Sequence, residues 1–240
     1  MQRYFVNIRL EEVIFDENDI FHILKVMRGK VGDNFEVVDQ AQNLYLVRLT
    51  SIKPFAVTIL EPLTRQSELK NTITLYYVMA KGEKTDWVIQ KATELGVDKI
   101  VLLHSKRSVV RVESAKVDNK VLRLSKIAKE AAEQAKRLII PSVSIHQSFT
   151  EIADDTSTFK LIADEDAAGT TQKLYSLLDS VTSSDSIALL VGAEGGFDRE
   201  EVAYATKIGF KVVGLGSRIL RSETAAIHLV GIVASYLERR

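Results

Sequence analysis

The sequence runs LLVGAEGGFD at residues 189–198 and VGLGSRILRSETA at residues 213–225. In each segment, a short apolar run typical of a buried strand is followed by glycines and then by a helical pattern. Two such loops side by side can present backbone N–H and C=O groups to one small polar ligand, because glycine leaves no side chain where the ligand approaches. The two segments therefore predict a binding site as well as a fold.

Strands and helices alternate around these segments. Asp198 with Glu201 three residues later resembles a capping box, and Gly96 and Gly209 are placed where helices end. The alternation predicts an α/β fold with a mainly parallel sheet covered by helices. Strands are predicted at 73–79, 99–103, 161–163, 187–191 and 211–214, and helices at 85–95, 115–138, 171–178, 199–208 and 222–237.

The N-terminal quarter of the chain has a different pattern. Short strands are predicted at 4–8, 34–38, 44–50 and 55–60, with one helix from about residue 18 to residue 28. Short strands around one helix indicate a small β-barrel. Residues 61–72 are polar and without strong periodicity, which is typical of a linker. We therefore expect two domains, 1–70 and 71–240.

Composition narrows the class of protein. The chain has 240 residues, of which 46% are hydrophobic and 27% charged, as in ordinary globular proteins. It has no cysteine, which excludes disulfides and thiolate metal sites, and its four histidines are scattered, so we expect no metal. No stretch has the apolar core of a signal peptide or membrane-spanning length, so we expect a cytoplasmic protein with no membrane segment.

A net charge of zero conceals an uneven distribution. Residues 104–140 contain ten Lys/Arg and four Asp/Glu, whereas residues 141–200 contain three Lys/Arg and eleven Asp/Glu. The first of these segments is a basic stripe of the kind that binds nucleic acid. On charge alone, a solvated helix face explains it slightly better.

The glycine segments also limit the ligand. GAEGG matches neither the dinucleotide fingerprint nor the P-loop, and Glu194 would repel a phosphate, so a cationic or zwitterionic adenosine compound fits better. In the second segment, apolar residues that could enclose an adenine lie next to Arg218, Arg221 and Glu223. A purely structural interpretation, in which Ser222 caps the last helix and Glu223 favours its N-terminus, leaves both arginines unexplained.

Together the two segments resemble the SPOUT methyltransferases, and more narrowly the bacterial enzymes that methylate N3 of a uridine in small-subunit ribosomal RNA. KGEK at 81–84, QKATELGV at 90–97, Arg107-Ser108 and EAAEQAKR at 130–137 agree with this resemblance, which runs nearly end to end. Ala193 is a departure, since the family usually has proline there. Losing a proline leaves that loop less rigid, so cofactor affinity could differ.

The resemblance implies a trefoil knot in the C-terminal domain, a PUA-like N-terminal barrel, and a homodimer built partly on the last helix. It also implies S-adenosylmethionine as methyl donor and ribosomal RNA or the small ribosomal subunit as partner. Arg221 is the expected cation near the uracil oxygens, with Glu223 and, second, Glu194 accepting the N3 proton or orienting that arginine. Expected cofactor contacts are Leu190, Gly192, Gly195, Gly196, Leu215, Gly216, Ile219, Leu220, Thr224 and Ala225. Expected RNA contacts are Arg3, Lys25, Arg28, Lys106, Arg107, Arg111, Arg123 and Arg137.

Three alternatives stay open at this point. One is a non-catalytic RNA-binding protein with a degenerate knot domain, against which the retained arginines and glutamates argue. Another is a SPOUT methyltransferase with a different RNA target. A nicotinamide-dependent oxidoreductase needs a dinucleotide fingerprint after its first strand, where the chain instead has MAKGE at 79–83.

Three further side chains have competing interpretations. Trp87 and Phe197 could stack on bases, but we expect both in the core. For His22, a polar role on a half-buried helix is slightly favoured over RNA contact.

Overall fold

The structure, a computed structural model, describes residues 1–10, 12–167 and 171–239, apart from the side chains of residues 171 and 172. The chain divides into two compact units. The first comprises Met1–Glu68 with Ala132–Ile139, and the second comprises Leu69–Ala131 with Ile140–Arg240. None of the helices described is long and apolar enough to cross a membrane.

The first unit is built from short strands around one helical segment. A four-stranded sheet has the order β1-β4-β5-β6, in which β1 and β4 are parallel and the other pairs antiparallel, and β2 and β3 form a separate antiparallel pair. The elements are β1 (Arg3–Phe5), β2 (Asn7–Arg9), β3 (Glu12–Ile14), α1 (Glu17–Phe21), a π-helical turn (His22–Val26), β4 (Asn34–Val38), β5 (Leu44–Ile52) and β6 (Phe55–Leu63).

Aromatic packing holds this unit together. The ring of Phe35 meets that of Tyr4 at 5.6 Å and that of Phe15 at 5.8 Å between centroids, both edge to face. Such pairs add to the free energy gained by burying the rings. Two predictions need correction here: the strand expected at 4–8 is two strands, and the helix expected from residue 18 changes from α to π geometry after Phe21.

The second unit alternates strands and helices. Its strands are β7 (Ile73–Val78), β8 (Lys99–Leu103), β9 (Ser142–His146), β10 (Phe159–Ala163), β11 (Ile187–Val191) and β12 (Lys211–Val213). Its helices are α2 (Lys84–Glu94), α3 (Val117–Gln134, ending in the first unit), α4 (Thr171–Leu178), α5 (Arg199–Lys207) and α6 (Ser222–Glu238). Short 3₁₀ turns span Ser114–Lys116, Phe149–Asp154 and Glu165–Ala167.

One six-stranded sheet of order β12-β10-β11-β7-β8-β9 organises this unit, and all of its strand pairs are parallel. This confirms the predicted α/β fold. After β10, the chain returns to the interior of the sheet as β11 and then leaves for the outer edge as β12. The trefoil knot implied by the resemblance stays a prediction.

The central strands are apolar throughout because helices cover both faces of the sheet. Leu75 and Leu189 belong to the larger core, which packs against α2, α3, α4 and α6, whereas Val78 and Leu190 belong to the core beneath α5. The signals at the helix ends are confirmed: Asp198 and Glu201 form a capping box, and Gly96 and Gly209 end helices with φ of +94° and +100°.

Parallel strands place their carboxyl ends at one edge of a sheet, which is where ligands bind in such folds. The loops after β10, β11 and β12 therefore converge. Both glycine segments of the sequence follow the last two of these strands.

Candidate functional site

A cavity of about 440 Å³ lies among the three loops that follow β10, β11 and β12. The first loop contributes Asp164 and Glu165, the second contributes residues 192–197, and the third contributes residues from Leu215 to Ser222. The cavity combines exposed backbone, apolar side chains and two arginines. Of the residues expected to contact a cofactor, it is lined by Gly192, Gly195, Gly196, Leu215, Gly216, Ile219, Leu220 and Ala225.

Glycine is required at two points of the cavity wall. Gly196 has φ +62°, and a Cβ there would lie 2.3 Å from Oε1 of Glu165. Gly216 has φ +123°, and a Cβ there would meet no atom within 4 Å, so it would extend into open space at the cavity wall. The backbone can approach a ligand at Gly216 only while that position lacks a side chain.

Lys84 joins two acidic residues beside the cavity. Its Nζ lies 2.8 Å from Oε1 of Glu194 and 3.5 Å from Oε2 of Glu223. The hydrogen bond to Glu194 raises the pKa of Lys84, which therefore stays cationic. Sequence reasoning pointed to the segment KGEK at 81–84 but assigned Lys84 no role. Nothing in the sequence indicates that the start of α2 meets the loop after β11.

The two carboxylates differ in their surroundings. Burial alone would raise the pKa of Glu194, but hydrogen bonds from Lys84 and from backbone N–H groups outweigh it and lower that pKa. Glu194 lines the cavity and is exposed, so it is an ionised carboxylate within reach of a ligand.

Glu223 is only 8% exposed. Its Oε2 accepts a hydrogen bond from Ser222 at 3.3 Å, and the hydroxyls of Ser222 and Tyr77 lie 3.1 Å apart. Burial raises the pKa of Tyr77 to about 12, which keeps its hydroxyl protonated. Glu223 is absent from the cavity wall, and its carboxylate faces Lys84 and Ser222, so its expected role as proton acceptor or as the group that orients Arg221 stays a prediction.

Arg218 and Arg221 line the cavity, are exposed, and form no ion pair with any residue that the structure describes. Arg221 is the residue immediately before α6, in an extended conformation, and no side chain caps that helix. The structural interpretation in which Ser222 is the cap is therefore wrong, since Ser222 is the first helical residue. Both guanidinium groups are available to a ligand.

Two expected cofactor contacts lie elsewhere. Leu190 is fully buried on the sheet face that packs beneath α5, because successive side chains of a strand point to opposite faces. Its neighbour Val191 lines the cavity instead. Thr224 lies on the exposed side of α6 and not on the cavity wall, whereas Ala225 is on the wall.

The basic residues expected to contact RNA differ in how exposed and how paired they are. Arg3 is 0% exposed and pairs with Glu36, and Arg137 is buried against Glu68, so both are corrections: they hold the fold and cannot reach a phosphate. Arg123 is exposed but bound through both terminal nitrogens to Asp86 at 2.7 Å. Lys25, Arg28, Lys106, Arg107 and Arg111 are exposed.

The segment after β8 contacts the loop after β11. Nη1 of Arg107 donates to the carbonyl oxygen of Gly195 at 3.0 Å, and Lys106 pairs with Glu200. Arg111 forms no ion pair within the described ranges of the chain. Part of the basic stripe therefore adjoins the cavity.

The competing interpretations of three side chains are also resolved. Phe197 is buried, as predicted, and the hydroxyl of Tyr4 lies 2.9 Å from Nδ1 of His22, which gives His22 the polar structural role. Trp87 was expected in the core, but it is 59% exposed on α2. Among the described residues no cluster of His, Asp and Glu could hold a metal ion.

Comparison with known proteins identifies relatives along the whole chain. Residues 67–234 match a family model described as an RNA methyltransferase domain, and residues 15–60 match one described as an RNA methyltransferase PUA domain.

Two curated relatives and one solved structure are ribosomal RNA methyltransferases. Ribosomal RNA small subunit methyltransferase E of Bacillus subtilis is 30% identical, over 99% of this chain and 98% of that protein. Its namesake from Mesomycoplasma hyopneumoniae is 33% identical, over 96% and 97%. The crystal structure of such an enzyme from Neisseria gonorrhoeae, bound to S-adenosyl methionine, matches with a TM-score of 0.85 and 30% identity, over 98% and 97%.

Proposed function

The chain belongs to the RNA methyltransferase family whose model it matches over residues 67–234, and we propose that it methylates N3 of a uridine in small-subunit ribosomal RNA with S-adenosylmethionine as donor. The observation on which this rests is the cavity, where bare glycine backbone and apolar side chains lie beside two arginines that have no ion-pair partner among the described residues. The names of the relatives supply the substrate class.

The residues present suit this cofactor. Gly216 leaves open space at the wall, and Gly192, Gly195 and Gly196 line the cavity without side chains, so a polar ligand can approach the backbone there. Leu215 and Leu220 provide apolar surface for an adenine. The negative charge of Glu194 suits a cofactor that carries a sulfonium and an ammonium group. When bound, the cofactor supplies a methyl group that its sulfonium already activates for transfer.

The acceptor nitrogen, unlike the methyl donor, has to be activated by the protein. N3 of uridine carries a proton at neutral pH, and its loss leaves negative charge on the flanking carbonyl oxygens. Arg221, fixed by its position just before α6, is the cation that stabilises this charge. A guanidinium donates hydrogen bonds in one plane, which matches a uracil edge.

Glu194 is the carboxylate that reaches the substrate. It lines the cavity and is ionised, so it accepts a hydrogen bond from N3–H and orients that edge. Its lowered pKa makes it a weak base, and the proton passes on to water. Glu223 acts through Lys84 as a positioning residue, because Lys84 keeps both carboxylates in place and compensates their repulsion.

The two domains have different roles in this function. The domain of residues 1–70 binds RNA and the domain of residues 71–240 performs the transfer, a division supported by the two family models and the two compact units. The protein is a homodimer and acts in the cytoplasm, where ribosomes are assembled. Support for the dimer comes from apolar residues of α6 that are only partly buried, such as Ile227, Ile232 and Leu237, and from the exposed Trp87 on α2, the helix against which α6 packs.

Calorimetric titration of the protein with S-adenosylmethionine, followed by transfer of a tritiated methyl group to ribosomal RNA, tests the proposal. We expect cofactor binding and label in small-subunit RNA. RNA binding without cofactor binding would support the non-catalytic alternative. Label in RNA other than that of the small subunit would support a different target.

A further inference from the structure

A second cavity, of about 480 Å³, lies beside the first and has no role in the mechanism above. It is formed where β8 and β9 end and where α5 begins, and His104, Ser105 and Tyr204 are among its lining residues. Its size suits a nucleotide.

The floor of this cavity contains an unsatisfied polar group. Ser105 is 4% exposed, lines the cavity, and its buried hydroxyl has no hydrogen-bond partner among the described residues. A hydroxyl that is buried without a hydrogen-bond partner destabilises the folded protein. A ligand that enters the cavity and bonds to Ser105 would remove this destabilisation.

The charges in the cavity indicate which part of a nucleotide enters. Two carboxylates already have partners. Oε1 of Glu201 accepts from the backbone N–H of Lys106 at 2.7 Å and its Oε2 accepts from the backbone N–H of Asp198 at 2.9 Å, while Glu200 pairs with the side chain of Lys106. Carboxylates disfavour a phosphate here but tolerate a neutral base. Arg111 also lines the cavity and is exposed, so it is available to a phosphate.

The walls suit a flat, neutral group. Phe149 and Tyr204 line the cavity with ring centroids 6.3 Å apart, and the hydroxyl of Tyr204 donates to the carbonyl of Thr150 at 3.1 Å, which fixes its ring. Aromatic rings stack on the bases of single-stranded RNA.

The two cavities share one connecting segment. Arg107 contacts the wall of the first cavity through Gly195, whereas the adjacent Lys106 and Ser105 line the second. His104 holds this segment in place, because its Nε2 accepts from the backbone N–H of Val112 at 3.1 Å. A single RNA strand that passes over residues 105–107 can place neighbouring nucleotides in the two cavities.

We propose that the second cavity is a subsite for the base of a nucleotide adjacent to the target uridine, with Ser105 bonding to its edge and Arg111 to its phosphate. This rests on the proposed function. The subsite requires the neighbouring base to leave the stack together with the target, so it would contribute to the choice of uridine.

The test compares three RNAs. One is a small-subunit RNA fragment that contains the target uridine, and in each of the other two a different neighbour of that uridine is abasic. Affinities are measured by fluorescence anisotropy without methyl donor. We expect wild-type protein to bind one abasic RNA about tenfold more weakly, from the loss of one stacked base. In Ser105→Val the larger side chain enters the cavity. This variant should bind the natural RNA about tenfold more weakly than wild type does, and it should bind the natural and the abasic RNA with equal affinity.

Two further variants are compared with Ser105→Val. Arg111→Ala should weaken both RNAs equally and reduce the salt slope by about one. Lys99→Ala, which removes an exposed cation at the opposite end of β8, should change neither property. If Ser105→Val keeps the wild-type discrimination, or if wild type does not discriminate, the base lies elsewhere and the inference is wrong.

Crosslinking needs no variant and no known target. Small-subunit RNA containing random 4-thiouridine is irradiated with wild-type protein, and crosslinked peptides are identified by mass spectrometry. Crosslinks within 104–111 or 147–150, or at Tyr204, support the subsite, and crosslinks only elsewhere overturn it. Methyl transfer to the same RNA is assayed separately, so protein that crosslinks there without methylating it would contradict the proposed function and leave the subsite in place.

Discussion

At the scale of single residues, the site depends on how charges are paired. Lys84 is the ion-pair partner of Glu194 and Glu223, and Arg218 and Arg221 remain as cavity cations without an ion pair in the described part of the chain. A charge that already has a partner contributes less to a ligand than one that has none. The sequence identified Arg221 because it is adjacent to apolar residues and a glutamate. It could not reveal Lys84, since that contact spans 110 residues of chain.

Gly216→Ala tests whether the cavity holds the cofactor. A methyl group at this position extends into the cavity, so we expect S-adenosylmethionine affinity to fall about tenfold or more, measured by calorimetry. Gly209→Ala is the matched control, because Gly209 also has positive φ and open space around it but lies at the end of α5. Equal losses in the two variants would indicate backbone strain and not contact with the ligand.

Arg221→Ala tests the role in charge stabilisation. The charge develops only as N3 loses its proton, so turnover should fall roughly a hundredfold while cofactor and RNA affinities stay near wild type. Raising the pH should partly restore turnover, because more uridine is then deprotonated. Single-turnover rates at saturating RNA provide the measurement. A variant that loses RNA affinity but keeps this rate would make Arg221 a positioning contact.

At the scale of elements, the sequence specified the buried strands better than the exposed ones. β8 and β11 have the predicted bounds because each is a nearly continuous apolar run, and β4 (NFEVV) has them because a turn signal, Gly32-Asp33, comes directly before it. β9 (SVSIH) was missed, since at the sheet edge it alternates serine with apolar residues over only five positions. This omission hid the second cavity, which forms where β9 ends.

His104 links the segment after β8 to the end of β9, and it makes this region sensitive to acid. Burial lowers the pKa of His104 below its usual 6.5, despite a hydrogen bond to the backbone of Gln147 that raises it. At His104 the unfolded chain therefore binds more protons than the folded chain does, and stability should fall as the pH decreases from about 7 through the usual pKa of 6.5 and towards the lower pKa of the folded state.

Urea unfolding at several pH values within this window measures the effect. His104→Gln should be less stable at neutral pH but lose much of the pH dependence. His228→Gln, which changes an exposed histidine on α6, should keep it. If His104→Gln retains the full dependence, other groups are responsible.

At the scale of the whole molecule, the resemblance to the SPOUT methyltransferases predicted the topology of the chain, which local sequence patterns do not specify. Periodicity predicts alternating strands and helices, but the return of β11 between β10 and β7 depends on packing among distant segments. That return brings the two glycine segments to one edge of the sheet. The pattern also misplaced Trp87, which is exposed on α2.

Trp87→Glu tests the proposed homodimer. If α2 and α6 form the interface, a charge at Trp87 should convert the dimer into a monomer of unchanged circular dichroism, as measured by light scattering at low micromolar concentration. Val26→Glu is the control, because Val26 is equally exposed, at 59%, but lies in the N-terminal unit. A wild-type protein that is monomeric and active would contradict the proposal.

The central claim is methylation of uridine N3 in small-subunit ribosomal RNA, and mass spectrometry of nucleosides tests it most directly. Small-subunit RNA from cells with this protein, without it, and with Arg221→Ala alone is digested and compared. We predict 3-methyluridine in the first sample, its absence from the second, and a strongly reduced amount in the third. An equal amount of 3-methyluridine with and without the protein would contradict the account.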